Sequence, residues 1–209
     1  MLRQWLQADN PRVRKWLIHS TTILGVFMAT LDASIVNIAM PDITTYFHTT
    51  LNNVEWVVIV YLLLISSLLL MYGRMGDMYG HRPVFISGFA VFTVASLCNS
   101  LSVNIWMLIA SRALQALGAG AILAVVQAII ADTFHPSERG KAIGLNAMFV
   151  SLGLATGPAL GGFLVEAYGW QSIFIINVPI GILGTYWSWR ILPVKDKKPQ
   201  KFDFGGDRK

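Results

Sequence analysis

Two ionisable side chains stand where the surrounding sequence is otherwise apolar. Asp32 lies inside the run from Trp16 to Met40, and Arg112 lies inside the run from Ile105 to Ala131. If each run is a helix crossing a bilayer, an ionisable group at that depth is costly unless it is paired, hydrated or neutral. Asp32 precedes Met40 by about 12 Å of helix, and Arg112 follows Ile105 by about 10.5 Å. On antiparallel helices the two charges therefore reach nearly the same depth. A carboxylate opposite a guanidinium can take up and release a proton as its partner recedes or approaches. The same pair can also serve only to hold two helices together. Gln115, one turn from Arg112, and Asn37, towards the far end of the first run from Asp32, favour a polar lumen over an isolated pair.

The elements that position these residues follow from composition. The chain has 209 residues, 55% of them hydrophobic and 13% charged. Its mean hydropathy is +0.57. A soluble domain carries about 25% charge, so the composition argues against an ordinary soluble enzyme and rules out a disordered or collagen-like chain. Cys98 is the single cysteine, so no intramolecular disulfide framework exists, and no Cys/His cluster has zinc-ligand spacing. No cofactor or metal site is expected. No Ser/His or Asp/Asp pair falls at equal depth on neighbouring runs, so an intramembrane enzyme is not expected either.

A bilayer-spanning helix needs roughly 20 apolar residues. Runs of that length are expected at Trp16–Met40, Val54–Tyr72, Val84–Leu101, Ile105–Ala131, Ala142–Ala167 and Ile173–Leu192. Pro41, the Gly73 cluster and Pro193 are read as stops. The expected fold is all-α: a six-helix transmembrane bundle over residues 16–192, with residues 1–15 as an N-terminal segment and 193–209 as a basic tail. The first run is too long for a cleaved leader, and no A-x-A-like site follows it.

The basic residues, 16 in all, fall before run 1, after runs 2 and 4, and at or beyond the end of run 6, apart from Arg112. Basic loops mark the cytoplasmic side, so both termini are placed there. This distribution also removes nucleic acid as a partner, which the pI of about 9.5 would otherwise suggest.

Two further patterns stand out. Gly153, Gly157 and Gly161 repeat every fourth residue around Pro158, with Gly162 adjacent. Such a bare stripe admits close helix approach and reads either as generic packing or as a bent seal between two moving halves. The segment Gly73-Arg-Met-Gly-Asp77-Met-Tyr-Gly80-His81-Arg82-Pro83 forms a glycine-rich basic loop. There Asp77 and Arg82 can pair with each other or cap neighbouring helices, and Asp132 can pair with His81 or Arg82.

These motifs together resemble the major facilitator superfamily. The loop 73–83 is similar to its G-x-x-x-D-r-x-G-r-r motif, with Met78 and His81 in place of basic residues. Arg112-Ala-Leu-Gln115-Ala-Leu-Gly118-Ala-Gly120 resembles its fourth-helix RxxQGxG, and Gly153–Gly162 resembles its antiporter signature GxxxGPxxGG. Leu31-Asp32-Ala-Ser-Ile-Val-Asn37-Ile-Ala-Met-Pro41 and Trp170–Gly181 resemble LDxTIVNVALP and WRWIFLINVPIG of the 14-helix drug:proton antiporter branch.

The resemblance implies the N-terminal half of that fold, built from two inverted three-helix repeats. It implies multidrug efflux coupled to protons across a bacterial inner membrane. Asp32, Arg112, Gln115 and Asn37 would serve proton coupling on a central cavity. Gly73, Asp77, Gly80, His81, Arg82 and Asp132 would gate at the inner loop. Gly153, Gly157, Pro158, Gly161 and Gly162 would form the antiporter helix. The implied partners are the bilayer, protons, a drug-like small molecule, and a second half or another copy of the chain, with other efflux components alongside. The family needs two halves, so the chain is expected to be a fragment that is inactive alone, with Phe202–Gly206 opening the link to the next span. Small-solute uptake, or a membrane protein that only binds partners, are the alternatives.

Overall fold

A computed structural model describes residues 11–193. The segments 1–10 and 194–209, which include most of the basic tail and the expected link, lie outside the described residues. Among the described residues there are seven helices: α1 (Pro11–Tyr46), α2 (Leu51–Tyr79), α3 (His81–Ser100), α4 (Ile105–Thr133), α5 (Pro136–Tyr168), α6 (Ser172–Ile175) and α7 (Asn177–Ile191). They make six segments long and apolar enough to cross a membrane, α6 and α7 together forming the last. The fold is that of a six-span helical half-domain.

Local chemistry explains most boundaries. Asn104 caps α4 by accepting a hydrogen bond from the Met107 N–H at 2.8 Å. Pro136 opens α5, where a missing N–H costs nothing. Gly80 separates α2 from α3 at φ +95°, a left-handed value that favours glycine. The last span is interrupted at Ile176. Pro179 lies four residues beyond Ile175, where its ring would clash with that carbonyl in a continuous helix.

Two expected stops do not stop a helix. α1 passes through Pro41 to Tyr46. The proline removes one backbone donor only. Beyond it the Thr44 and Thr45 hydroxyls donate to the Met40 and Pro41 carbonyls at 2.7 and 3.0 Å, and Ile43 is fully buried. α2 likewise runs through Gly73, which has open space around it and nothing to force a turn.

The packing is pseudo-symmetric: α1 lies along α5 as α4 lies along α2, with α3 against α4 and α7. Exchanging the first three spans with the last three maps α1–α5 onto α4–α2. Close approach is set by small residues. A side chain at Gly118 would meet the Phe92 backbone nitrogen at 2.5 Å, and one at Gly88 the Gly118 carbonyl oxygen at 2.9 Å.

Charge separates along the bundle. The Lys15–Glu138 pair, the His81–Asp132 pair and the Arg82–Trp189 contact gather the start of α1, α3 and α5 and the end of α4 and α7 at one basic end. Asp42, Glu55 and Glu166 fall towards the other.

The interior has three layers. One apolar cluster fills the basic end, with Met28, Phe85, Phe89, Ile122 and Val125 among its members. A second fills the opposite end, with Ile35, Ile43, Val57, Leu108 and Phe174. Between them lies a layer of buried polar side chains.

Candidate functional site

The polar layer is centred on Asp32, which is fully buried on α1. Arg112 Nη1 on α4 donates to its Oδ2 at 2.6 Å. Gln115 Nε2 donates to its Oδ1 at 3.0 Å, and Asn177 Nδ2, at the start of α7, does so at 2.7 Å. Both carboxylate oxygens are therefore engaged by three donors from two helices other than its own. An ion pair in an apolar interior survives only when such additional bonds offset lost hydration.

Arg112 is also fully buried. Its Nη1 is shared with Gln115 Oε1 at 2.6 Å, and its Nε donates to the Val57 carbonyl of α2 at 3.2 Å. The guanidinium lies 4.0 Å from the Tyr61 ring centroid and 5.7 Å from that of Phe174. Such stacking contributes most in a desolvated site. Its Nη2 has no protein hydrogen-bond partner.

Gln115 connects the layer. Its oxygen accepts from Arg112 and from Asn99 Nδ2 at 2.6 Å, and its nitrogen also donates to Ser96 Oγ at 2.8 Å. Asp32, Tyr61, Ser96, Arg112 and Asn177 thus draw α1, α2, α3, α4 and α7 into one network. A change of charge on Asp32 is felt by all of them.

The expected pairing depth of Asp32 and Arg112 agrees with this geometry. The expected lumen does not: both side chains are enclosed, because α2, α3 and α7 close around them. Asn37 is not part of the network. It is exposed on another face of α1 and bonds weakly to the Ala33 and Ser34 carbonyls at 3.3 and 3.4 Å. It lies five positions beyond Asp32, which turns it well away at 3.6 residues per turn.

The inner-loop residues form a separate cluster at the basic end. His81 Nδ1 lies 3.1 Å from Asp132 Oδ2, and its Nε2 lies 3.5 Å from Asp77 Oδ1. Of the two expected arrangements, the Asp77–Arg82 pair does not form and the cap on a neighbouring helix does. Arg82 Nη2 instead donates to the Trp189 carbonyl at 2.7 Å, binding the C-terminal end of α7. Gly80 makes the turn, and Gly73 has no close neighbour.

The glycine stripe faces α1 within this bundle. Side chains at Gly153, Gly157 and Gly161 would strike Thr30, Ser34 and Ile35. A seal against a second half is therefore not what the stripe forms here; Gly162, beside it, faces open space. Pro158 cannot donate to the Leu154 carbonyl four residues earlier. Ser34 Oγ of α1 donates to that carbonyl instead, at 2.9 Å.

Ser34, Tyr61, Ser96, Asn99 and Asn177 join these contacts beyond the site residues expected from the sequence. Their signal was there: each is a polar group inside an apolar run, and such groups must find partners away from water.

A family model of the Major Facilitator Superfamily matches residues 22–207. The chain belongs to that superfamily. Its members are multi-pass membrane transporters rather than enzymes. Among curated relatives, the superfamily chain is 40% identical to the riboflavin transporter RibZ of Clostridioides difficile (strain 630) over 195 residues, 92% of this chain and 43% of that protein. It is 42% identical to the methylenomycin A resistance protein of Bacillus subtilis (strain 168), over 81% of this chain and 36% of that one. It is 34% identical to the tetracenomycin C resistance and export protein of Streptomyces glaucescens, over 95% of this chain and 37% of that one. The chain spans less than half the length of each.

Proposed function

We propose that this chain supplies the first half of a proton-coupled exporter of apolar or cationic small molecules. The exporter belongs to the 14-helix drug:proton antiporter branch, in a bacterial inner membrane with both termini in the cytoplasm. The observation that carries the reading is Asp32, a fully buried carboxylate held by three donors and bonded to a buried Arg112. Relatives named for drug resistance and export support the substrate class.

Protonation of Asp32 removes the charge that Arg112 faces and turns one acceptor oxygen into a donor. Gln115 and Asn177 both donate to that carboxylate, so the layer must rearrange. α1 then loosens from α4 and α7, and this change alternates access to the two sides. An inward proton gains about 2.3 kcal/mol per 100 mV. The cavity between this half and a second one holds the substrate, and Asn37, exposed on α1, lines it. A second half, from the same polypeptide or another copy, completes the transporter, and further efflux components can join it.

The test is ethidium efflux from vesicles carrying the completed transporter. Asp32→Asn is expected to abolish efflux driven by a pH gradient while leaving energy-independent exchange. Uphill efflux at the normal rate would place the proton site elsewhere. Cysteines at Asn53 and Asn104 should label from outside, and those at Met78 and Ser137 should not. A second reading, transfer of a small solute, is favoured by the riboflavin transporter among the relatives; riboflavin in place of ethidium discriminates between them.

A further inference from the structure

A groove of about 480 Å³ runs along the outside of the bundle between α3 and α7. Ile86, Ala90 and Val94 form one wall at successive helical turns, and Ile182, Tyr186 and Trp189 form the other. Val94, Ile182, Tyr186 and Trp189 are all more than half exposed. Thr93 and Thr185 also line it, but their hydroxyls donate to the Phe89 and Gly181 carbonyls of their own helices, each at 2.7 Å. Apart from the Tyr186 phenol, the walls therefore offer an apolar surface with no free hydroxyl. From Ile86 to Val94 the groove covers about 12 Å of helix, less than half of a hydrocarbon core of about 30 Å. It belongs to one leaflet, at the basic end.

That end carries the polar part of the site. The exposed Arg190 guanidinium lies 6.0 Å from the ring centroids of both Tyr186 and Trp189, and no ion pair joins it to a carboxylate among the described residues. Arg82, one turn before Ile86, binds the Trp189 carbonyl with Nη2 and has a buried Nε with no hydrogen-bond partner. Two guanidinium groups thus stand where an apolar groove meets the membrane surface, flanked by a tyrosine and a tryptophan of the kind that anchor at that level.

We propose that the groove binds one anionic phospholipid of the leaflet at the basic end. One acyl chain lies along Ala90 and Ile182, and the phosphate is held by Arg190 with Arg82 at the rim. Guanidinium groups bind phosphate oxygens in a two-pronged geometry. A zwitterionic headgroup brings its own cation to the two arginines and is disfavoured. The lipid bridges α3 and α7, which also meet where Gly181 and Gly184 face Thr93 and Phe89 and where Arg82 binds the Trp189 carbonyl.

Native mass spectrometry of the chain released from nanodiscs of mixed phosphatidylglycerol and phosphatidylcholine tests this. One phosphatidylglycerol is expected to be retained over phosphatidylcholine by about fivefold, the value of one basic residue at an anionic surface. Arg190→Gln should bring the two lipids near parity, and Ala90→Trp, which fills the groove, should remove both. Equal retention by the unaltered chain, or an unchanged preference in Arg190→Gln, overturns the proposal. So does disulfide trapping of a second copy through a cysteine at Ala90. If Ala90→Trp does not fold, fluorescence decides. Brominated phosphatidylglycerol should quench the Trp189 signal, taken against Trp189→Phe, at a lower membrane fraction than brominated phosphatidylcholine. Equal quenching overturns the site.

Discussion

α1 meets its neighbours in two different ways within a few residues. Asp32 turns towards α4 and α7 and is held there by directional hydrogen bonds. Thr30 and Ser34 turn towards α5 and fit against Gly153 and Gly157, where no side chain intervenes. The first contact depends on charge and tolerates little electrostatic change. The second depends on shape, and a proton gained or lost does not alter it. The difference says which parts of the bundle can move apart. Removing the charge of Asp32, as Asp32→Asn does, weakens the grip of α1 on α4 and α7, while the fit of α1 against α5 does not depend on that charge.

The polar contact should show the largest effects. Arg112→Leu leaves Asp32 buried without its cation, which is expected to destabilise the bundle by about 3–5 kcal/mol in detergent unfolding. Combined with Asp32→Asn, much of that loss should return, giving a coupling energy above about 1 kcal/mol. Simple additivity would show that the pair carries no mutual energy. Asn177→Leu removes one donor to the carboxylate and should cost about 1.5–3 kcal/mol, the range for a hydrogen bond to a charged group. An unchanged melting temperature for Asn177→Leu would remove the start of α7 from the network.

Much of this contact was legible in the sequence, because depth along two antiparallel runs needs only residue counting and the helical rise. Its surroundings were not. Asn177 sits in the first third of the last span, but its access to Asp32 depends on a helix interrupted beneath Pro179. Whether Asp32 faced a lumen or an enclosed layer depended on how α2, α3 and α7 pack, and no periodicity within α1 encodes that. Pro41 misled because its local preference to end a helix is smaller than the burial of Ile43 beyond it, and Gly73 because nothing around it forces a turn. The glycine stripe was visible as a stripe, but its partner was a matter of tertiary arrangement.

The steric contact gives a sharper comparison within one helix. A Cβ at Gly157 would lie 2.6 Å from Ser34 Cβ, whereas one at Gly162 meets nothing within 4 Å. Gly157→Leu should therefore cost about 1–3 kcal/mol through overpacking. Gly162→Leu should stay within about 0.5 kcal/mol. Both exchanges bring the same gain in helix propensity, so their difference isolates the seam with α1. Equal melting temperatures for the two variants would mean that the seam opens readily.

The smallest effect distinguishes two roles of one side chain at that seam. Ser34 packs on Gly157 through its Cβ and donates through Oγ to the Leu154 carbonyl, which Pro158 leaves without its helical donor. Ser34→Ala keeps the Cβ and loses the bond, so it should cost about 1 kcal/mol. In a Pro158→Ala background the new N–H at position 158 can reach Leu154, and the serine hydroxyl becomes redundant. Ser34→Ala is then expected to be nearly neutral, whatever Pro158→Ala does alone by straightening α5. The informative quantity is the interaction term of the double-mutant cycle, expected at about 0.5–1 kcal/mol. The same loss in both backgrounds would show that Ser34 does not stand in for the missing proline donor. The stretch of the α1–α5 seam around Gly153 and Gly157 would then be held by shape alone.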